Sequence, residues 1–247
     1  SIPQITRRQS AVAELVGKTM DRCELTEALS GVHDLERLMT KVVYGTVNPR
    51  ELLSLSYTAQ NLPAVKEVAS HFSCSLLKDL YCRLDTLSEM RELIDSAIDD
   101  DAPVNMKDGG YIKMGYRPEL DELKSIQKNA KGYLAQIEER ERQETGIKNL
   151  RINYNRVFGY YIEVTKSFLS QVPDRYVRKQ TLTGAERFIT PELKELENKV
   201  LSASDRMIAM ESALYEEVRK KIAAQLPVIE ETASAVAQLD VLCSFAA

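Results

Sequence analysis

Apolar residues recur along the chain at helical spacing. Leu35, Leu38, Met39 and Val42 fall on one face. Asn48 then suits an N-cap and Pro49 a first helical position, and Leu52, Leu53, Leu55 and Ser56 follow. The stretches LPAVKEVASHF and SLLKDLYCRLDTLSEMRELIDSAI repeat the amphipathic pattern. Residues 1 to about 100 therefore read as a helical bundle with frequent stops, its stripes forming core. DDDAPV closes that run. Asp108-Gly109-Gly110, inside NMKDGGYIKMGY, signals either a hairpin or a surface loop.

Two longer helices follow. The first runs from Pro118 to about Thr145, with a narrow stripe of Leu120, Leu123, Ile126, Ala130, Leu134 and Ile137 and a stop at Gly146. At 1.5 Å per residue it spans about 40 Å. The second opens with Thr190 as cap, Pro191 at the first position and Glu192 at the positive end of the dipole. Leu193, Leu196, Val200, Ala203, Met207, Met210 and Leu214 then alternate steps of three and four, a coiled-coil seam. Val218, Ile222 and Leu226 step by four and turn the stripe away, and Pro227 ends or kinks the helix. A last helix, about Val228 to Ala247, has no stop signal, so the natural chain is expected to continue. Narrow-striped helices of this length do not stand alone, so the two are expected to pair antiparallel.

Between them, residues 147–189 change period. LRINYN and YYIEVTK alternate with β-branched and aromatic residues, and Arg156 to Gly159 form the turn between them. YVRKQTL is a third strand, Thr183-Gly184 a turn, and AERFI a fourth strand. Seven of the sixteen aromatic residues fall here: Tyr154, Phe158, Tyr160, Tyr161, Phe168, Tyr176 and Phe188. They serve either as the core of a small sheet or as a base-stacking face.

The fold expected is mainly α: a helical bundle with a long antiparallel two-helix lever carrying a small antiparallel β module at its tip. Residues 1–117 form the first part of the bundle, 118–146 the outgoing helix, 147–189 the module, 190–226 the returning helix, and 227–247 a helix returning to the bundle.

Charge sharpens this picture. The chain carries -4 overall, which gives no general attraction to nucleic acid. Residues 147–189 hold eight cations (Lys148, Arg151, Arg156, Lys166, Arg175, Arg178, Lys179, Arg187) and three anions (Glu163, Asp174, Glu186). That module is +5 and the remainder -9. Such cations either guard edge strands or contact phosphate without reading sequence, and the asymmetry favours phosphate.

Other chemistry is sparse. The chain has no phosphate-loop or dinucleotide motif. Cys23, Cys74, Cys82 and Cys243 lack Cys-x-x-Cys spacing, and His33 and His71 have no ligand-like neighbour in sequence, so no zinc site is expected. The thiols read as reduced and mostly buried, in an intracellular protein. The acids of IDDDAP read as solvated, no catalytic set can be assembled, and no apolar run is long enough to cross a membrane. The opening, SIPQITRRQS, is neither signal peptide nor Met start and reads as a cut inside a longer protein.

NYNRVFGYYIEVTK and, further on, VPDRYVRKQTLTGAERFITPELKELENKVLSA resemble the clamp and returning lever of bacterial MutS-type DNA mismatch-repair proteins. Upstream, DLERLMTKVVYGTVNPRELLSL and AIDDDAPVNMKDGGYIKMGYRPELDEL resemble the core and lever that precede the clamp in that family. The resemblance implies a central piece of a dimeric, cytoplasmic, nucleoid-associated protein that encircles double-stranded DNA. That protein works with other mismatch-repair proteins, reads mismatches with a separate N-terminal domain, and carries an ATPase using ATP and Mg. The piece itself would need no cofactor and hydrolyse nothing.

Matched to the family's backbone-contacting strand and turn are Arg178, Lys179, Gln180, Thr181, Leu182, Thr183 and Gly184. The resemblance makes Arg178 and Lys179 phosphate cations, Thr181 and Thr183 hydroxyl donors and Gly184 a close-approaching amide, with Asn155 and Arg156 at the other turn in second rank. Many relatives carry Lys-Asn where this chain has Thr183-Gly184, which removes one cation and one amide side chain. The alternative is a protein-interaction arm of coiled-coil chaperone type, which calls for exposed apolar residues at the tip.

Overall fold

The computed structural model describes residues 2–32 and 34–247; His33 lies outside them. The chain divides into two compact units, one running through Tyr116 and resuming at Glu211–Ala247, the other Arg117–Met210.

The first unit contains α1 (Ile2–Gly17), α2 (Thr19–Ser30), α3 (Leu35–Tyr44), α4 (Pro49–Ala59), α5 (Leu62–Ala69), α6 (Ser75–Arg83) and α7 (Ser88–Ala97). In the second are α8 (Pro118–Thr145), β1 (Arg151–Asn155), β2 (Gly159–Thr165), a 3-10 turn (Lys166–Gln171), β3 (Val177–Thr181) and β4 (Ala185–Ile189). The boundary falls within α9 (Pro191–Ala223), and α10 (Leu226–Ala246) belongs to the first unit. The mainly α class with one small antiparallel sheet is the one the sequence pattern predicts.

In the first unit Leu35, Leu38, Met39 and Val42 are all buried. Asn48 caps α4: its Oδ1 accepts from the Glu51 amide at 3.0 Å, and the Glu51 carboxylate accepts from the Asn48 amide. The Asp108–Gly110 stretch is a loop. Its flanks meet through a single bridge, Ile98 with Ile112, because the amides of Gly110 and Ile112 turn to the buried carboxylate of Glu211 instead of a strand partner. Tyr111 packs edge-on against Tyr215, and burial, then the Glu211 charge, pushes its hydroxyl up to about 12.

The helix expected to reach Leu226 ends at Ala223. Pro227 lies in the first turn of α10, where its missing N–H is harmless. The expectation of mostly buried thiols is corrected. Cys23 and Cys82 lie on outward faces of α2 and α6 and are exposed, Cys74 is half-buried, and only Cys243 is buried.

In the second unit α8 and the first part of α9 pack antiparallel. Arg140 Nη1 donates to Glu192 at 3.2 Å near one end, and Leu123 and Ile126 line the same hollow as Ser202, Ala203 and Arg206 farther along. Leu120, Leu123, Ala130 and Ile137 are buried, whereas Ile126 is 43% exposed at the rim of that hollow. Thr190 caps α9, its hydroxyl accepting from the Leu193 amide at 3.3 Å.

The sheet order is β1-β2-β4-β3, antiparallel throughout, so β1 and β3 are the edges. Ile137 of α8 and Leu193 of α9 join Ile147, Leu150, Ile162, Val164, Tyr176 and Phe188 in one core. Tyr161, Tyr176 and Phe188 are buried, Phe158, Tyr160 and Phe168 half-buried, and Tyr154 is 50% exposed. The rings thus build the core and do not form a stacking face. Among the described residues no helix is long and apolar enough to cross a membrane.

Candidate nucleic-acid interface

Three carboxylates from the paired helices mount the sheet. Glu138 of α8 accepts from the Ile152 amide on edge strand β1 at 2.8 Å. Glu141, also of α8 and buried, accepts from the Tyr176 hydroxyl and from Arg175. Burial, then the bond to Glu141, pushes the Tyr176 hydroxyl pKa well above its ordinary value. Glu197 of α9 accepts from the Tyr160 amide at 3.2 Å and takes Lys194 at 3.3 Å.

These mounts divide the eight cations. Arg175 is committed to Glu141 and Glu144 of α8. Arg187 is tied to Glu163 at 3.1 Å and to Gln180 at 2.9 Å, with its guanidinium 4.5 Å above the Tyr161 ring. Arg178 Nε lies 2.7 Å from the buried Glu186 Oε2, off the hydrogen-bond direction, so the contact is one of charge; its side chain stays 63% exposed. Lys148, Arg151, Arg156, Lys166 and Lys179 are exposed and make no ion pair among the described residues.

The strand register singles out Lys179. Arg178 faces Phe188 and Gln180 faces Arg187, so Lys179 is the extra residue of a β-bulge on the free edge of β3. Thr181, Thr183 and Gly184 continue from it as an exposed strand end and turn, closed by the Leu182 amide donating to the Ala185 carbonyl at 2.8 Å. Gly184 does not have a left-handed backbone, and nothing crowds the place its Cβ would take.

The sequence candidates fall in two places. The Lys166 amide donates to the Gly184 carbonyl at 3.1 Å, which sets Lys166 beside Thr183 and Gly184. Asn149 donates to Thr165 at 2.8 Å and brings the Lys148 segment to the same end. Asn155 and Arg156 lie at the opposite end of β2, about 20 Å away along that strand. There Asn155 Oδ1 accepts from the Val157 amide at 2.7 Å and shapes the turn. In the sequence Lys166 is one of eight cations of the module; its proximity to Gly184 follows only from the β2–β4 register.

The chain contains no phosphate-loop motif.

Residues 115–206 match the profile of MutS family domain IV. Over 245 residues the chain is 51% identical to the DNA mismatch repair protein MutS of Caldicellulosiruptor bescii, covering 99% of this chain and 28% of that protein. It is 49% identical over 243 residues to the protein of the same description from Caldanaerobacter subterraneus, and 48% over 246 residues to that from Acetivibrio thermocellus. The similarity extends across both units and includes the sheet with its mounting helices. The chain belongs to the MutS family and spans about 28% of the length of these relatives.

Proposed function

We propose that this segment acts in DNA mismatch repair as a core, lever and clamp that holds the duplex backbone without reading its sequence. The observation that carries the reading is the end of the sheet where Lys166, Lys179, Thr181, Thr183 and Gly184 stand exposed, with no carboxylate paired to either lysine among the described residues. Ammonium groups, hydroxyls and an open amide are the donors that phosphate oxygens accept. Arg178 adds charge beside them, whereas Arg175 and Arg187 serve the fold.

The segment itself hydrolyses nothing. In the full-length protein it is coupled to an ATPase using ATP and Mg, and it works as a homodimer with other mismatch-repair proteins in the cytoplasm. The protein-interaction alternative needs a contiguous apolar tip. Val157, Val177 and Tyr154 are exposed, but they are divided between the β1 end with its turn and the far edge strand.

The test is duplex binding by the full-length protein carrying Lys166→Glu with Lys179→Glu, at two salt concentrations, on perfect and mismatched DNA. Both duplexes should bind more weakly to the same extent, and the log-log salt slope should fall by about 0.9 per lost contact. Unchanged binding, or a loss confined to mismatched DNA, would overturn the reading.

A further inference from the structure

The first unit contains a cluster that the clamp reading does not use. Asp21 and Glu24 lie three residues apart on α2, so they are neighbours on one helix face. His71, just past α5, meets them, and one donor atom from each lies within 4.8 Å of the others. His71 Nδ1 stands 3.0 Å from Asp21 Oδ1. Among the described residues no other group of His, Cys, Asp and Glu converges in this way. No pattern along the chain reveals the cluster, because Glu24 and His71 lie 47 positions apart.

We propose that Asp21, Glu24 and His71 form a surface site for one divalent transition-metal ion, with zinc the best match. Imidazole nitrogen with two carboxylate oxygens is a donor set for zinc and its neighbours, while magnesium and calcium prefer oxygen alone. Three protein donors leave a coordination position for water. Ligands about 2.0–2.2 Å from one ion must come closer together than the present spread, and rotation of exposed side chains supplies that movement. The backbones on both sides are held in place. Lys18 Nζ donates to the His71 carbonyl at 2.6 Å, and Glu14 of α1 accepts from the Ser73 and Cys74 amides, each at 2.7 Å. Leu25 and Leu29 are buried and anchor α2. The bound ion would tie α2 to the turn between α5 and α6. The Lys18 ammonium stands nearby and keeps the affinity moderate.

Titration calorimetry of this 247-residue chain with zinc chloride, and with magnesium chloride as the comparison, tests the site. One zinc ion should bind per chain and raise the melting temperature, and magnesium should not. His71→Ala and Glu24→Gln change exposed positions and should each weaken zinc binding by more than about tenfold, the low end even for outer-shell partners. Cys23→Ser should leave it unchanged, since Cys23 is an exposed thiol on the same helix outside the cluster. Absence of zinc binding would overturn the proposal, as would binding that survives His71→Ala or disappears with Cys23→Ser.

Discussion

Glu197 occupies the space that a side chain on Gly159 would need, and Gly159 itself has a left-handed backbone with φ 75°. The close approach lets the carboxylate reach the Tyr160 amide. Gly159→Ala therefore meets two penalties, the left-handed conformation and displacement of a buried carboxylate. It should destabilise the second unit by about 1–3 kcal/mol, measured by urea unfolding, with the earliest loss of amide-exchange protection in β1 and β2.

Tyr176 and Arg175 share the Glu141 carboxylate. Tyr176→Phe removes one donor to a charged acceptor and should cost about 1.5–3 kcal/mol. Glu141→Ala leaves a buried phenol without its acceptor and an arginine short of a partner. Its cost should exceed that of Tyr176→Phe in the same unfolding measurement.

Gly184 is uncrowded and not left-handed, so positions 183 and 184 should accept the Lys-Asn pair that the family resemblance implies. Thr183→Lys with Gly184→Asn should leave stability within about 0.5 kcal/mol. In the full-length protein it should tighten duplex binding and steepen the salt slope by about 0.9 for the added cation.

Glu14 governs part of the acid stability of the first unit. Burial opposes its charge, but the amides of Cys74 and Ser73, the Ser73 hydroxyl and Lys18 outweigh burial and hold the carboxyl at about 2, against an ordinary 4.5. The folded state keeps the group ionised where the unfolded chain would protonate it. Its stabilising effect is therefore full above pH 4.5 and is lost as pH falls towards 2. Glu14→Gln should be less stable than wild type at neutral pH, and the two unfolding curves should converge across that acid window.

Much of the fold was legible because its signals are local. Asn48-Pro49 and Thr190-Pro191 mark helix starts through atoms three residues apart, and alternation marked the four strands. The sequence pattern puts the end of α9 three residues too late because Pro227, which marks the break, is tolerated within the first turn of the next helix. The candidate interface was legible as charge but not as geometry. Arg175 meets Glu141 across 34 residues, Lys166 meets Gly184 through strand pairing, and the bulge at Lys179 depends on the register of β4. None of these relationships leaves a periodic trace.

Glu138 and Glu141 belong to one long helix and Glu197 to the other, and each grips a different part of the same sheet. The sheet is therefore a tie-bar across the ends of two rods. A slide of one rod past the other by a helical turn, about 5.4 Å, would pull an amide or a phenol off its carboxylate. Bending the pair as one body would break none of these grips and would carry the sheet along as a unit.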